Sequence, residues 1–202
     1  MKAGALAWAL AGVVGACSLT PVDVEPRQEL LTRLPADVAT APTLPATLLV
    51  REPTANAPYD TTRMAYSDKP VEVAYFARTE WADKPASMLQ GLLVRTLERT
   101  HRFRAIAVSP YGGTSAYVLD TRLEELRQDF TTDPAMVRLT VRVELRRAQS
   151  DPLPRKRETI AREFEAREPL SARSAYAGAV AANAAAARVL TDIARFVVEH
   201  SS

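Results

Sequence analysis

Cys17 is the only cysteine among 202 residues, and its thiol is the most versatile group in the chain: a nucleophile, a metal ligand or a point of covalent attachment. With no second cysteine it cannot form an internal disulfide. A metal site needs several clustered ligands, whereas the two histidines, His101 and His200, stand in different contexts. His101 follows a predicted helix, where a histidine suits the negative C-terminal end, and His200 lies at the chain end. Acyl transfer of the hydrolase type needs a G-x-S-x-G elbow, and the sequence has none. Gly112-Gly113 lacks the ordered glycines that a phosphate loop requires between strand and helix. Trp81 and Asp83 are a tempting pair, yet they read most simply as a core aromatic and a helix cap. No nucleophile, base and orienting group assemble from this inventory. The chain is therefore read as noncatalytic, with no cofactor-binding and no metal-binding residues.

Covalent attachment is the remaining chemistry for Cys17. One charge, Lys2, precedes an apolar run from Ala3 to Val14 and the small pair Gly15-Ala16, which is the layout of a signal peptide. The run is well short of the roughly 20 residues that cross a hydrocarbon core. Val14-Gly15-Ala16-Cys17 resembles a lipobox, at which bacterial lipoproteins are acylated on cysteine and cut before it. Residues 1–16 are then a lipoprotein signal peptide and Cys17 the lipid attachment site. Each buried CH₂ contributes about 0.8 kcal/mol and one acyl chain alone anchors only marginally, so a multiply acylated terminus stays on its membrane. Ser18 is not the aspartate associated in many enterobacteria with retention at the inner membrane. That resemblance favours the outer membrane, with the domain facing the periplasm.

The elements that would follow such an anchor can be read from spacing. Residues 17–45 carry Pro21, Pro26, Pro35, Pro42 and Pro45, a density that resists regular structure and favours an extended tether. Residues 46–202 suit one domain with one core. Thr47–Arg51, Arg63–Tyr66 and Val71–Phe76 read as strands separated by turn-forming residues. A helix follows, with Asp83 placed to cap it and Pro85 in its first turn. Its Met88, Leu89, Leu92, Leu93 and Leu97 recur on one face, and it should end near Thr100. Phe103–Val108 is the next strand. Val137, Leu139, Val141, Val143 and Leu145 alternate with polar residues, the signature of a half-buried antiparallel strand. Tyr117, Leu119, Thr121 and Leu123 alternate before it; Ile160, Phe164 and Ala166 do so more loosely after a turn at Asp151–Pro154. The Ala-dense stretch Ser174–Glu199 closes the chain as a helix whose inner stripe is expected at Tyr176, Val180, Ala184, Ala187, Leu190, Ile193, Ala194 and Val197. Strands, helix, strands, helix predicts an α+β fold: one mostly antiparallel or mixed sheet packed against two main helices.

Charge excludes one class of partner. Lys and Arg number 26 against 24 Asp and Glu, and the signs alternate, whereas a nucleic-acid binder concentrates a basic face. The clusters Arg146-Arg147 and Arg155-Lys156-Arg157 flank a Pro-containing turn and read as solvated hairpin tips.

The residues resemble the ABC-type transport auxiliary lipoproteins, which include the paraquat-inducible protein C type. Tyr59-Asp60, Arg63-Met64-Ala65-Tyr66, Glu72-Val73-Ala74-Tyr75-Phe76, Trp81-Ala82-Asp83 with Pro85, and Met88-Leu89 follow that family's order and spacing. Tyr117-Val118-Leu119, Phe130, Arg162-Glu163-Phe164 and the Ala-rich last helix extend the likeness through the second half. The Asp151–Lys156 hairpin is longer than usual, and Phe196 stands where the family often has Trp. The resemblance implies a role rather than a reaction: an accessory subunit of a transporter built from an ABC ATPase, a permease and an MCE-domain protein that moves lipids across the envelope. It would dock the periplasmic MCE assembly to the outer membrane, with a ring-like homo-oligomer implied by the ring-shaped partner. The rival reading is a structural lipoprotein of another outer-membrane complex.

Overall fold

The computed structural model describes residues 25–148 and 159–202. The expected signal peptide, Cys17, the beginning of the expected tether, and the hairpin residues Asp151–Lys156 with Arg157 lie outside them. The described chain forms one nine-stranded mixed sheet and two helices, so the α+β reading holds.

The organising element is β7 (Tyr117–Asp129), a 13-residue strand. One of its edges pairs antiparallel along its whole length with β8 (Met136–Arg147), which pairs in turn with β9 (Thr159–Pro169). The other edge is shared. Its first residues pair in parallel with β2 (Leu44–Val50), its middle with the two-residue β3 (Thr54–Ala55), and its end with β4 (Arg63–Ser67). Two arms therefore diverge from one strand. In the first, β2 pairs with β6 (Phe103–Val108); in the second, β4 pairs with β5 (Ala74–Trp81), and β5 with β1 (Arg27–Glu29).

Alternation explains the layering. The odd positions of β8 from Val137 to Leu145 are buried, and Phe164 and Ala166 of β9 join them. The β7–β8 register slips between Leu123 and Glu125, a bulge that moves the inward phase of β7 from Leu119 and Leu123 to Leu126 and Gln128. Sequence alternation before Leu123 was legible, whereas the switch after it depends on pairing.

Both helices cover the same sheet face. Helix α1 (Pro85–Glu98) contacts β6 and β7, and α2 (Ala175–His200) lies over β8 and β9 and touches α1. Leu89, Leu92, Leu93 and Leu97 are buried as expected, with Met88 half-buried. Pro85 begins α1, but Asp83 is not its cap: Lys84 takes that position without a side-chain cap bond, while Asp83 Oδ1 accepts from the Lys84 N–H at 2.7 Å. Lys84 is itself drawn to Asp60 by an ion pair at 2.9 Å. The helix ends two residues earlier than expected, and His101 turns the chain with a left-handed φ of 54°. The strand expected at Val71–Phe76 begins only at Ala74, because Val71 occupies a turn at φ 61°.

Helix α2 corrects the expected stripe. Ser174 caps it by accepting from the Ala177 N–H. Its buried face runs through Ala175, Gly178, Ala179, Ala182, Ala185, Ala186, Val189, Ile193 and Val197, while Tyr176 and Val180 are exposed and Ala184 and Ala187 only half-buried. The reason is closeness to the sheet. A Cβ on Gly178 would lie 1.8 Å from the Gln128 side-chain nitrogen, so in its first half the helix turns glycine and alanine inward and leaves Tyr176 and Val180 outside. Leu190, Ile193, Ala194 and Val197 are buried as expected. Phe196 is also buried and meets Phe164 edge-to-face at 5.7 Å, so it is a core residue.

The stretch from Arg27 to Pro45, expected within the tether, is bound along the domain. After β1 pairs with β5, Leu31 enters the core. The Asn183 side chain of α2 accepts from the N–H groups of Thr32 and Arg33 at 2.8 and 3.0 Å and donates to the Leu30 carbonyl at 2.8 Å. The Arg99 guanidinium donates to the carbonyls of Pro35 and Ala36. Proline excludes regular ladders but leaves carbonyls free to accept, which is how this strap is satisfied.

Candidate functional site

The residues singled out for chemistry do not converge. Trp81 is buried where β5 meets α2, beside Met64 and Gly178, and so serves the core. His200 lies on Phe196, its ring nitrogen 2.8 Å from the Phe196 carbonyl, far along the sequence and on a different element from exposed His101. Gly112 and Gly113 sit in an exposed loop before β7. Arg146 pairs with Asp120 across β7 and β8 at 3.0 Å, so half of the first basic cluster is neutralised within the sheet. Among the described residues no group of three His, Cys, Asp or Glu side chains could hold a metal ion, and no helix is long and apolar enough to cross a membrane.

Two surfaces stand out instead. The first is the uncovered sheet face. Arg127 sits between Glu125 and Asp129 on its own strand, and Arg138 of β8 reaches Glu125, Asp129 and Glu165 at 3.7 to 4.0 Å. Arg127 also donates to the Ser67 hydroxyl at 2.6 Å, tying β4 to the network. Burial works against charge on Asp129, but hydrogen bonds from the Thr131 hydroxyl and N–H, with Arg127 and Arg138 beside it, prevail and hold its pKa below the usual carboxylate range. Burial likewise opposes the Arg127 charge, and Glu125 outweighs it and raises the pKa. Tyr59 is raised by burial and by the Glu125 charge. These groups hold one another; the network fixes the geometry of the sheet rather than offering a reactive proton. Where the arms of β2 and β4 diverge, an open cleft of about 540 Å³ is lined by Glu52, Asp120, Arg122, Glu124, Arg142 and Glu144, of mixed sign.

The second surface is one end of the sheet, which gathers the β4–β5 turn, the β7–β8 turn and the beginning of α2. Tyr66, Phe76 and Phe130 form a half-exposed aromatic cluster, with ring centres 4.8, 5.7 and 6.4 Å apart. Arg173 reaches the Phe130 carbonyl at 3.0 Å and lies over its ring. Beyond the aromatics Val71 is fully exposed, Val73 is 39% exposed and Tyr176 68% exposed. Apolar side chains left in water next to aromatic rings mark a contact surface. Sequence reasoning missed it because Tyr176 was assigned inward and Val71 to a strand. The available signal was the pair of turns, Asp68-Lys69-Pro70 and Asp133-Pro134, bracketing aromatic residues.

Comparison with known proteins supports the fold and gives the family. Protein XCC0632 from Xanthomonas campestris has a solved structure that matches with a TM-score of 0.67 at 20% identity, over 85% of this chain and 94% of that one. An uncharacterised protein of known structure matches at 0.66 and 14% identity, over 86% and 99% of the two chains. The hypothetical protein CT253 from Chlamydia trachomatis matches at 0.50 and 10% identity, over 78% and 98%. At these identities the likeness concerns the fold alone. No curated protein matches the chain. A sequence profile described as "ABC-type transport auxiliary lipoprotein component" matches residues 30–194, from the strap through all but the last turns of α2. The likeness read from the residues and the matched profile agree, and the chain belongs to the family of ABC-type transport auxiliary lipoproteins.

Proposed function

We propose that this protein is acylated on Cys17 after removal of residues 1–16, is held on the periplasmic face of the outer membrane, and docks an MCE-domain assembly that works with an ABC permease and ATPase to move lipid across the envelope. The observation that carries the reading is the family match over residues 30–194 directly downstream of Val14-Gly15-Ala16-Cys17. A family of transport auxiliaries calls for binding surfaces rather than a reaction centre, which supports a docking role over a catalytic one.

The test is affinity purification of the full-length protein from detergent-solubilised envelopes, with mass spectrometry of both its partners and its mature N-terminus. Recovery of an MCE-domain protein and a triacylated or diacylated Cys17 is expected. Recovery with a β-barrel assembly complex and no MCE-domain protein would refute the transport role in favour of a structural one. An unmodified Cys17 thiol would refute the anchor.

A further inference from the structure

We propose that the end of the domain built from the β4–β5 turn, the β7–β8 turn and the first turn of α2 rests on the lipid surface to which the protein is anchored. The proposal depends on acylation of Cys17. It is carried by the direction from which the chain arrives and by what that end exposes.

The direction follows from register. β1 runs parallel to β5, with Arg27 opposite Thr79 and Glu29 opposite Trp81, so the chain reaches Arg27 from the side of Ala74, where β5 begins. At about 3.3 Å per residue, Thr79 lies roughly 17 Å from that end. Cys17 precedes Glu25 by eight residues, which span at most about 28 Å. The two ends of the sheet, measured along β7 from Tyr117 to Asp129, are roughly 40 Å apart. An anchor at Cys17 can therefore extend past the near end of the sheet, the end that carries the β4–β5 turn. The opposite end, where β7 begins at Tyr117 just after the loop with Tyr111, lies against the direction in which the chain approaches Arg27.

The exposed apolar groups agree with that orientation. Val71, Val73 and Tyr176, with the half-exposed rings of Tyr66, Phe76 and Phe130, stand at the near end. Aromatic rings with a polar handle suit the boundary between hydrocarbon and water, and Lys69 and Arg173 are placed beside them to keep their charges at headgroup level. Asp68, Glu72 and Asp133 share this end, and Lys69 pairs with Glu72 at 3.7 Å. Attraction therefore comes from the apolar and aromatic groups rather than from net charge. A covalent anchor close by raises the local concentration of lipid surface, so a modest patch suffices.

The test uses the full-length acylated protein carrying Val71→Cys, or Tyr111→Cys as the far-end control, each labelled with an environment-sensitive fluorophore. The thioether at Cys17 leaves the introduced cysteine as the reactive thiol. In vesicles of phosphatidylethanolamine and phosphatidylglycerol, the label at position 71 should shift to the blue and lose most of its emission to doxyl-labelled phospholipid. The label at position 111 should do neither. Protein that floats with vesicles while position 71 stays in water overturns the proposal and leaves the anchor intact. Protein that does not float overturns both. A concentration-dependent blue shift at position 71 in the Cys17→Ser protein without vesicles overturns the proposal in favour of a second copy covering this end.

Discussion

Asn183→Ala should release the N-terminal strap while leaving the rest of the domain folded. Its side chain makes four hydrogen bonds: two accepted from Thr32 and Arg33, one donated to Leu30 and one donated to Ala179 within α2. The last competes with ordinary helical bonding and is close to neutral. The three bonds that cross to the strap contribute about 1 kcal/mol each at most, and less where water can replace them, so their joint loss costs about 1 to 3 kcal/mol of local stability. At about 1.4 kcal/mol per factor of ten, the strap should open between roughly fivefold and a hundredfold more often. Alanine meanwhile favours the helix by about half a kcal/mol over asparagine, so the global melting temperature should hold or rise slightly. Native-state hydrogen exchange read residue by residue separates these effects. The N–H groups of Thr32 and Arg33 should lose protection while those of β7 and β8 keep theirs. Unchanged protection at both residues would refute the argument that Asn183 clasps the strap and would leave Leu31 and Arg99 as its fasteners.

Leu93→Asp places an unpaired carboxylate where the side chain is 2% exposed; a loss of at least about 3 kcal/mol is expected, and urea unfolding at wild-type midpoint would contradict the placement of α1. Cys17→Ser should move the protein from the membrane to the soluble fraction on envelope fractionation, and retention on the membrane would sink the anchor reading. Asp129→Asn tests the network on the open sheet face. Because the folded pKa of Asp129 is lowered, its contribution is present above its unfolded pKa of about 3.9 and is lost as pH falls through the lower folded value. The wild type should therefore lose more stability than the variant between about pH 5 and pH 2, read from urea midpoints across that range; parallel curves would argue against the ion-paired arrangement.

What could be read in advance was whatever depends on local period. The inward leucines of α1 and the alternation of β8 are local patterns that any packing partner would preserve, and both appear in the structure. Asp83 misled because three neighbours compete for the start of α1, and Lys84 is held by Asp60, a residue 24 positions earlier. The face of α2 was obscure for a different reason: alanine tolerates burial and exposure alike, so Tyr176 and Val180 dominated the pattern although the buried face runs through Gly178 and the alanines beside it, where the sheet comes close. The strap from Arg27 to Pro45 looked like a spacer because its partners, Thr79 to Trp81, Arg99 and Asn183, are distant in sequence. The apolar end surface was hidden by the same errors, since it consists of residues assigned inward or to a strand. The candidate anchor at Cys17 is a purely local motif and lies outside the described residues.

The shared edge of β7 makes one strand responsible for joining two arms. β2 pairs with β6 as well as with residues 117–119 of β7, and β4 pairs with β5 as well as with residues 127–129, so each arm has a partner of its own ahead of β7. The β4–β5 and β7–β8 hairpins each need only a short closure, and loop-closure entropy favours both as early events. β7 unites the arms, since among the described strands it alone pairs with both β2 and β4. A chain cut short before Tyr117 would hold both arms and lack the strand that joins them.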